Sequence, residues 1–211
     1  MVDIPECLKP LDKDRRGYPI PVTAAVDRDG TPHFTITDQM ARRRMIEEDR
    51  CHLSGWKLHR GRWFIGGPMA AFHVRGAFLD GPMLDEASLF AVQTCPYIAA
   101  PRYARRIDDK LIQKSGVEDR MVVRMHEEVV ADRPPLFVRV MAIGHKLVSS
   151  SEGDVLFVPK KPYRQVEFWR HGGRVEFDEG MMLSVESSKG ELTASQITLA
   201  CGMTHLTSSP P

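Results

Sequence analysis

The chain lacks the features that mark several specialised classes of protein. Its four cysteines (Cys7, Cys51, Cys95 and Cys201) contain no Cys-x-x-Cys pair, and no apolar run approaches the ~18 residues of a membrane span. The first ten residues hold no apolar signal core. We therefore expect a cytoplasmic protein with free thiols and no membrane contact, with a Cys51–Cys95 disulfide as the alternative.

The chain also has no excess of either positive or negative charge. The 29 basic and 28 acidic residues leave a net charge of +1, so no overall field draws the chain to nucleic acid or to an anionic membrane. The 211 residues are 42% hydrophobic and 27% charged, which is the balance of a globular protein. A chain of this size buries about 70% of its unfolded surface, so folding should need neither metals nor disulfides.

The order of the local patterns predicts an α+β fold. Its expected organisation is an extended arm (1–19), an α+β region (20–100), a connecting segment (101–135), a β-rich region (136–206) and a disordered tail (207–211).

Turn and cap signals place the elements of the first half. Asp27 to Gly30 separate two β-prone runs and predict a hairpin, and Asp38 is placed to cap a following helix. The expected elements are a hairpin of 22–26 with 33–37, a helix over 39–49, a second hairpin of 56–58 with 63–65, and a helix over 84–95.

From Leu136 onward the pattern is β. The candidate strands are 137–143, 155–158, 165–170, 174–177, 181–186 and 192–201, with hairpin turns at 171–173 and 188–190.

The segment from Cys51 to about Ala100 has the frame of a treble-clef zinc finger, in which a knuckle, a hairpin and a helix start supply four tetrahedral N or S ligands. The knuckle reads Cys51-His52-Leu53-Ser54-Gly55, so Ser54 stands where the second thiolate belongs. Leu84 and Ala87 stand at the positions of the His and Cys of the helix start. Only Cys51 occupies a ligand position.

This stretch resembles an uncharacterised family of actinobacteria and their phages. The family carries a Cys-x-x-Cys-Gly knuckle, then Phe-x-Gly-Gly-Pro, Pro-Pro-Met-His-x-x-Cys-Ala and Cys-Pro-x-Leu. The chain matches at Cys51, Gly55, 64–68, 80–83 and 95–98, and the likeness continues through 134–176, about three quarters of the chain. The resemblance implies a treble-clef-like ββα unit and a phage or prophage origin, but it implies no established activity.

Two interpretations of the finger compete. In the first, Leu84 and Ala87 fill the space of the ion with apolar volume, as a core prefers, and no cofactor is bound. In the second, zinc is held by a different set: Cys51, His52 and Cys95, with an acidic residue such as Glu86.

Two arginine clusters are candidates for phosphate contacts: Arg42, Arg43 and Arg44, and Arg102, Arg105 and Arg106. Acidic residues adjoin both clusters, so a solvated surface of mixed charge is the competing interpretation.

The sequence favours a non-catalytic protein that binds another macromolecule, with a protein partner expected. A role in virus–host interaction or virion assembly follows from the family resemblance, and the compartment would then be the host cytoplasm. The alternative is a nucleic-acid-binding or nuclease-like treble clef, and a small-molecule enzyme is a third class. Edge strands leave a homo-oligomer open.

Overall fold

A computed structural model describes residues 2–99, 134–150 and 153–203. The chain divides into two compact units. Unit 1 joins Met1–His59 with Gly81–Arg133, and unit 2 joins Arg60–Asp80 with Pro134–Pro211. Most of the predicted connecting segment and the predicted tail lie outside the described residues.

The described elements confirm the α+β class, and in chain order they begin with a 3-10 helix. In the first half they are the 3-10 helix (Glu6–Leu8), β1 (Ala24–Val26), β2 (Pro32–Thr37), α1 (Gln39–Glu47), β3 (Arg62–Gly66), α2 (Pro68–Phe72), α3 (Asp85–Thr94) and α4 (Pro96–Ala99). In the second half they are β4 (Phe137–Ala142), β5 (His145–Ser149), β6 (Val155–Pro159), β7 (Gln165–Arg170), β8 (Gly173–Val175), α5 (Phe177–Ser187) and α6 (Ala194–Ala200).

Unit 1 contains the elements whose sequence signals are local. Strands β1 and β2 form the predicted hairpin, in which Thr31 N–H donates to the Asp27 carboxylate and Gly30 takes φ +87°. Asp38 caps α1 by accepting from Met40 N and Ala41 N. The predicted arm is only partly extended, because residues 6–8 form a helical turn that buries Cys7 and Leu8.

Unit 2 is built on an antiparallel sheet in the order β3-β4-β7-β8. One sheet face packs Phe168 against Phe72 of α2 and Phe177 of α5. The turn between β7 and β8 is confirmed: His171 and Gly172 both take positive φ, as a two-residue type I′ loop requires. Strands β5 and β6 form a separate hairpin, and β6 bonds on its other side to Phe78.

Three predictions about the second half are wrong: the strands over 181–186 and 192–201, and the hairpin turn at 188–190. Residues 181–186 lie within helix α5 and 194–200 form helix α6, so the region is not uniformly β-rich and 188–190 do not form a hairpin turn. The helix signals are Asp178 and Glu179 in the first turn of α5, and a capping box between Thr193 and Gln196 in α6.

The predicted second hairpin is also wrong. Residues 63–65 belong to β3, which pairs with β4 in unit 2, with Phe64 opposite Val140. Residues 56–58 lie in unit 1, where Lys57 forms an isolated bridge with Arg50. The boundary between the units therefore crosses the segment that the sequence presented as one finger.

Candidate functional site

The turn that follows α1 is built around the Cys51 sulfur. Gly55 N–H donates to the Cys51 carbonyl across 2.8 Å, and Gly55 takes φ +72°. Ser54 N–H then points at Cys51 Sγ, 3.5 Å away. Such a turn needs a glycine at its last position because an L side chain disfavours positive φ.

The start of α3 docks on this turn. Leu84 N–H donates to Cys51 Sγ across 3.4 Å, and His52 N–H donates to the Pro82 carbonyl across 3.1 Å. The structure thus brings together the two segments that the sequence analysis treated as halves of a metal site. Leu84 is 2% exposed and Ala87 is fully buried, so both of these residues are part of the apolar core.

Cys7 lies in the same place and was missed by the sequence analysis. It interacts with Glu86, Ser54 and Cys51. Its pKa rises to about 12, chiefly because the thiol is buried, and also because the Glu86 carboxylate lies beside it and forms a hydrogen bond with it. The only sequence signal was a cysteine next to an apolar residue in a Pro-bounded segment, Pro5-Glu6-Cys7-Leu8.

The alternative zinc set does not converge. His52 is 4% exposed, and its ring lies against Gly81, where a Cβ atom would come within 2.1 Å of it. Cys95 directly follows the last residue of α3, whereas Cys51 Sγ accepts a hydrogen bond from Leu84, which directly precedes α3. Eleven residues at 1.5 Å each place Cys95 about 16 Å along the helix axis from Leu84. Across residues 2–99, 134–150 and 153–203, no group of three or more His, Cys, Asp or Glu side chains is arranged to hold a metal ion.

The three arginines of α1 point in different directions, as successive helical residues must. Arg42 is buried, whereas Arg43 and Arg44 are exposed. Arg43 Nε donates to Glu47 across 2.8 Å, which offsets its charge. Arg102, Arg105 and Arg106 lie outside the described residues, so their relation to α1 is not described.

An exposed surface on α1 was not predicted. Met40 is 68% exposed in the first turn of the helix. The side chains around it belong to α1 and its cap, and we call them the α1 surface. Its lining residues are Asp38, Met40, Ala41, Arg43, Arg44 and Glu47.

Unit 2 contains a buried charged cluster that the sequence analysis also missed. Arg139 on β4 is 2% exposed, donates to Glu167 on β7 across 2.8 Å, and lies over the ring of Trp63 with its guanidinium carbon 3.5 Å from the ring centre. Trp169 Nε1 donates to the same Glu167 oxygen across 3.1 Å. The cluster satisfies the carboxylate with two donors, as burial of a charge requires.

Comparisons with known proteins add no identification. No family model, no curated protein and no solved structure matches the chain. None of the helices in the described ranges combines the length and the apolarity that crossing a bilayer requires. Function has to be argued from the residues of this chain.

Proposed function

We propose that the protein is a non-catalytic interaction protein that binds a protein partner through the α1 surface. The observation that carries the proposal is the exposure of Met40, 68%, among the charged side chains of the α1 surface. Methionine is flexible and polarisable, so it adapts to the shape of an apolar partner side chain. Exposed apolar groups rimmed by polar residues are typical of docking surfaces.

The charges on this surface favour protein over nucleic acid. Asp38 and Glu47 line it together with Arg43 and Arg44, so the α1 surface carries both acidic and basic groups. Asp38 is a helix cap and Glu47 an ion-pair partner, so both carboxylates are held in place. A phosphate backbone would meet these carboxylates, whereas a protein with mixed charge has groups to match both signs.

We also propose that the Cys51 turn is a packed remnant of a treble-clef-like metal site. Two N–H groups already point at Cys51 Sγ, and Leu84 and Ala87, which stand where the sequence pattern expects ligands, are buried apolar residues. Elemental analysis of the purified protein tests this: stoichiometric zinc that is lost with Cys51→Ala contradicts it. From the family resemblance we also propose a role in virus–host interaction or virion assembly. Identification of the captured partner tests this role.

The main proposal is tested by affinity capture from the source cell with three baits: the wild type, Met40→Glu and Leu199→Glu. Leu199 is 77% exposed in unit 2, so it controls for placing a carboxylate at an exposed apolar position. We expect one protein to be retained by the wild type and by Leu199→Glu, and lost with Met40→Glu. If the Met40→Glu bait retains the same protein as the wild type, the proposal is contradicted.

The nucleic-acid alternative has its own assay. Binding to DNA or RNA that weakens steeply with salt, and that weakens further with Arg44→Ala, would replace the protein partner with a nucleic acid.

A further inference from the structure

Arg16 lies in a tight turn near the start of unit 1. Backbone hydrogen bonds close this turn: Gly17 N–H donates to the Asp14 carbonyl across 2.8 Å, and Asp14 N–H donates to the Tyr18 carbonyl across 2.9 Å. Gly17 takes φ +86°, which residues with a side chain rarely adopt. The position of Arg16 is therefore set by a defined loop.

The Asp14 carboxylate holds the Arg16 side chain in place. Asp14 Oδ1 accepts from Arg16 N and from Tyr18 N, each across 2.9 Å, and Oδ2 accepts from Arg16 Nε across 2.7 Å. The Asp14 side chain is 7% exposed, so water screens the ion pair poorly. Within the part of the chain that the structure describes, Nη1 and Nη2 of Arg16 have no hydrogen-bond partner.

Two aromatic rings lie beside the Arg16 guanidinium. Its central carbon is 5.2 Å from the ring centre of Tyr18 and 5.7 Å from the ring centre of Phe34 on β2. Both distances are within the range of cation–π contacts. Phe34 is 36% exposed and the Arg16 side chain is 41% exposed, so a ligand has access to both.

The unused Nη1 and Nη2 groups determine what this cluster can bind. Two parallel N–H donors at the end of a guanidinium match the two oxygens of a carboxylate in a bidentate pair. Asp14 and the two rings orient the guanidinium beforehand, so little side-chain entropy is lost when the pair forms. The exposed part of the Phe34 ring offers an apolar contact beside the bound anion.

The charge of the turn favours a single carboxylate over a nucleic acid. Residues 12–20 contain three basic and two acidic side chains, which leaves a net charge of +1. Nucleic-acid binding depends on several basic groups that neutralise successive phosphates. Asp12, which is exposed in the same turn, would repel such a chain of phosphates.

We propose that Arg16, Tyr18 and Phe34 bind a carboxylate of a partner protein that stands beside an aromatic or large apolar side chain, as at a C-terminal phenylalanine. In this complex Arg16 Nη1 and Nη2 donate to the two carboxylate oxygens, and the apolar side chain of the partner packs against Phe34. Arginine and tyrosine are enriched among the residues that contribute most to binding at protein interfaces. These three residues lie outside the α1 surface, and the proposal does not depend on that surface.

Titration of the full chain with N-acetylphenylalanine tests the site, because this probe carries a carboxylate and an aromatic ring joined through one carbon atom. NMR spectroscopy of the Arg16 Nε–H and of the Gly17 and Tyr18 backbone amides reports binding, and we expect saturable shifts. Arg16→Ala should raise the dissociation constant at least about tenfold. Arg16→Lys should also raise it, because lysine keeps the charge but lacks the paired donors. Arg15→Ala is the matched control, since it removes an exposed arginine from the same turn, and it should leave the dissociation constant unchanged.

Two further probes of the wild-type chain keep the proposal falsifiable if a variant fails to fold. N-acetylphenylalaninamide keeps the ring and lacks the carboxylate, and inorganic phosphate has the charge and lacks the ring. We expect both to bind more weakly than N-acetylphenylalanine. If either probe binds as tightly, if N-acetylphenylalanine shifts none of these signals, or if Arg15→Ala weakens binding as much as Arg16→Ala, the proposal is overturned.

Discussion

Arg139 and Glu167 form an ion pair at the centre of the unit 2 sheet, with Arg139 Nη1 donating to Glu167 Oε2 across 2.8 Å. The two residues lie directly opposite each other on β4 and β7. The side chains are 2% and 16% exposed, so water screens the pair poorly. The ring of Trp63 lies under the guanidinium, 3.5 Å from the guanidinium carbon to the ring centre.

Removing one member of this pair should destabilise unit 2 strongly. We expect Arg139→Leu or Glu167→Leu to lower the free energy of unfolding by about 3–5 kcal/mol, because each removes one half of an ion pair that burial shields from water. The double variant should lose less than the sum of the two. Urea unfolding followed by tryptophan fluorescence measures these changes, and Trp63 and Trp169 report on this sheet.

The exposed pair of Arg43 and Glu47 provides the control for that experiment. Its geometry is equally short, 2.8 Å, but its side chains are 75% and 60% exposed. Arg43→Leu should therefore change the free energy of unfolding by less than about 1 kcal/mol. Equal losses at the two pairs would show that burial does not set the strength of the Arg139 pair.

The contact between Gly81 and His52 predicts a second large effect. A Cβ atom at position 81 would lie 2.1 Å from the His52 ring, so Gly81→Ala forces one of the two segments to move. We expect a loss of about 1–3 kcal/mol in the free energy of unfolding. Gly81→Ala should cost less in a His52→Ala background than in the wild type, because the ring that the new methyl group would meet is then absent.

A matched glycine separates this clash from the general effect of a methyl group. Gly173 in β8 has a negative or extended φ, and a Cβ there meets only the Arg170 carbonyl oxygen, at an ordinary 3.5 Å. Gly173→Ala should be neutral or slightly stabilising. If Gly81→Ala behaves in the same way, the His52 ring is not held against Gly81.

The sequence predicted the elements that are determined locally. The Asp38 cap and the turns at Gly30 and Gly172 depend on a few neighbouring residues, and all three are confirmed. The helix expected over 84–95 is confirmed as α3 for the same reason, since Pro82 and Pro96 bracket it.

Long-range partners could not be read from those local signals. Phe64 looked like part of a hairpin, but its strand partner Val140 is 76 positions further along the chain. Cys7 was set aside as part of an arm, because nothing near it in sequence shows that Ser54 and Glu86 lie beside it. The prediction of a strand over 181–186 was wrong because a short apolar run fits either a strand or a buried helix. The helix is favoured here by the packing of Phe177 and Gly180 of α5 against Phe168, which no local signal reveals.

The buried thiol of Cys7 predicts a loss of stability at alkaline pH. Its pKa is about 12 in the folded state, against 9.0 for an unperturbed thiol. Above pH 9 the unfolded chain releases this proton and the folded chain keeps it, so the free energy of unfolding falls as pH rises from 9 toward 12. One such group contributes a slope of about 1.4 kcal/mol per pH unit.

Urea unfolding at a series of pH values measures that slope. Burial raises the pKa of Cys201 as well, to about 11, so the wild type should show more than one contribution. Cys7→Ala should reduce the slope of the free energy of unfolding between pH 9 and 11 by the contribution of one proton, about 1.4 kcal/mol per pH unit. Cys201→Ala should reduce the slope independently. A curve unchanged by Cys7→Ala would mean that the thiol is not protected from ionisation in the folded chain.

Restoring the missing ligands tests whether the Cys51 turn keeps the geometry of a metal site. Leu84 N–H and Ser54 N–H already converge on Cys51 Sγ, at 3.4 and 3.5 Å, so the backbone around the sulfur is in place. We expect the triple variant Ser54→Cys, Leu84→His and Ala87→Cys to bind one zinc ion per chain, because it supplies three thiolates and one imidazole. Elemental analysis and cobalt-substitution spectra, which report tetrahedral thiolate ligation, measure the outcome.

The control for this experiment is the double variant that keeps Ser54. It lacks one thiolate and should bind zinc much more weakly, while carrying the same changes in α3. Zinc that binds the folded triple variant should stabilise it, so its melting temperature should rise with zinc, whereas that of the wild type should not change. If the triple variant folds and takes up no zinc, the turn and the start of α3 do not retain the geometry of a tetrahedral site, and the packed-remnant proposal fails.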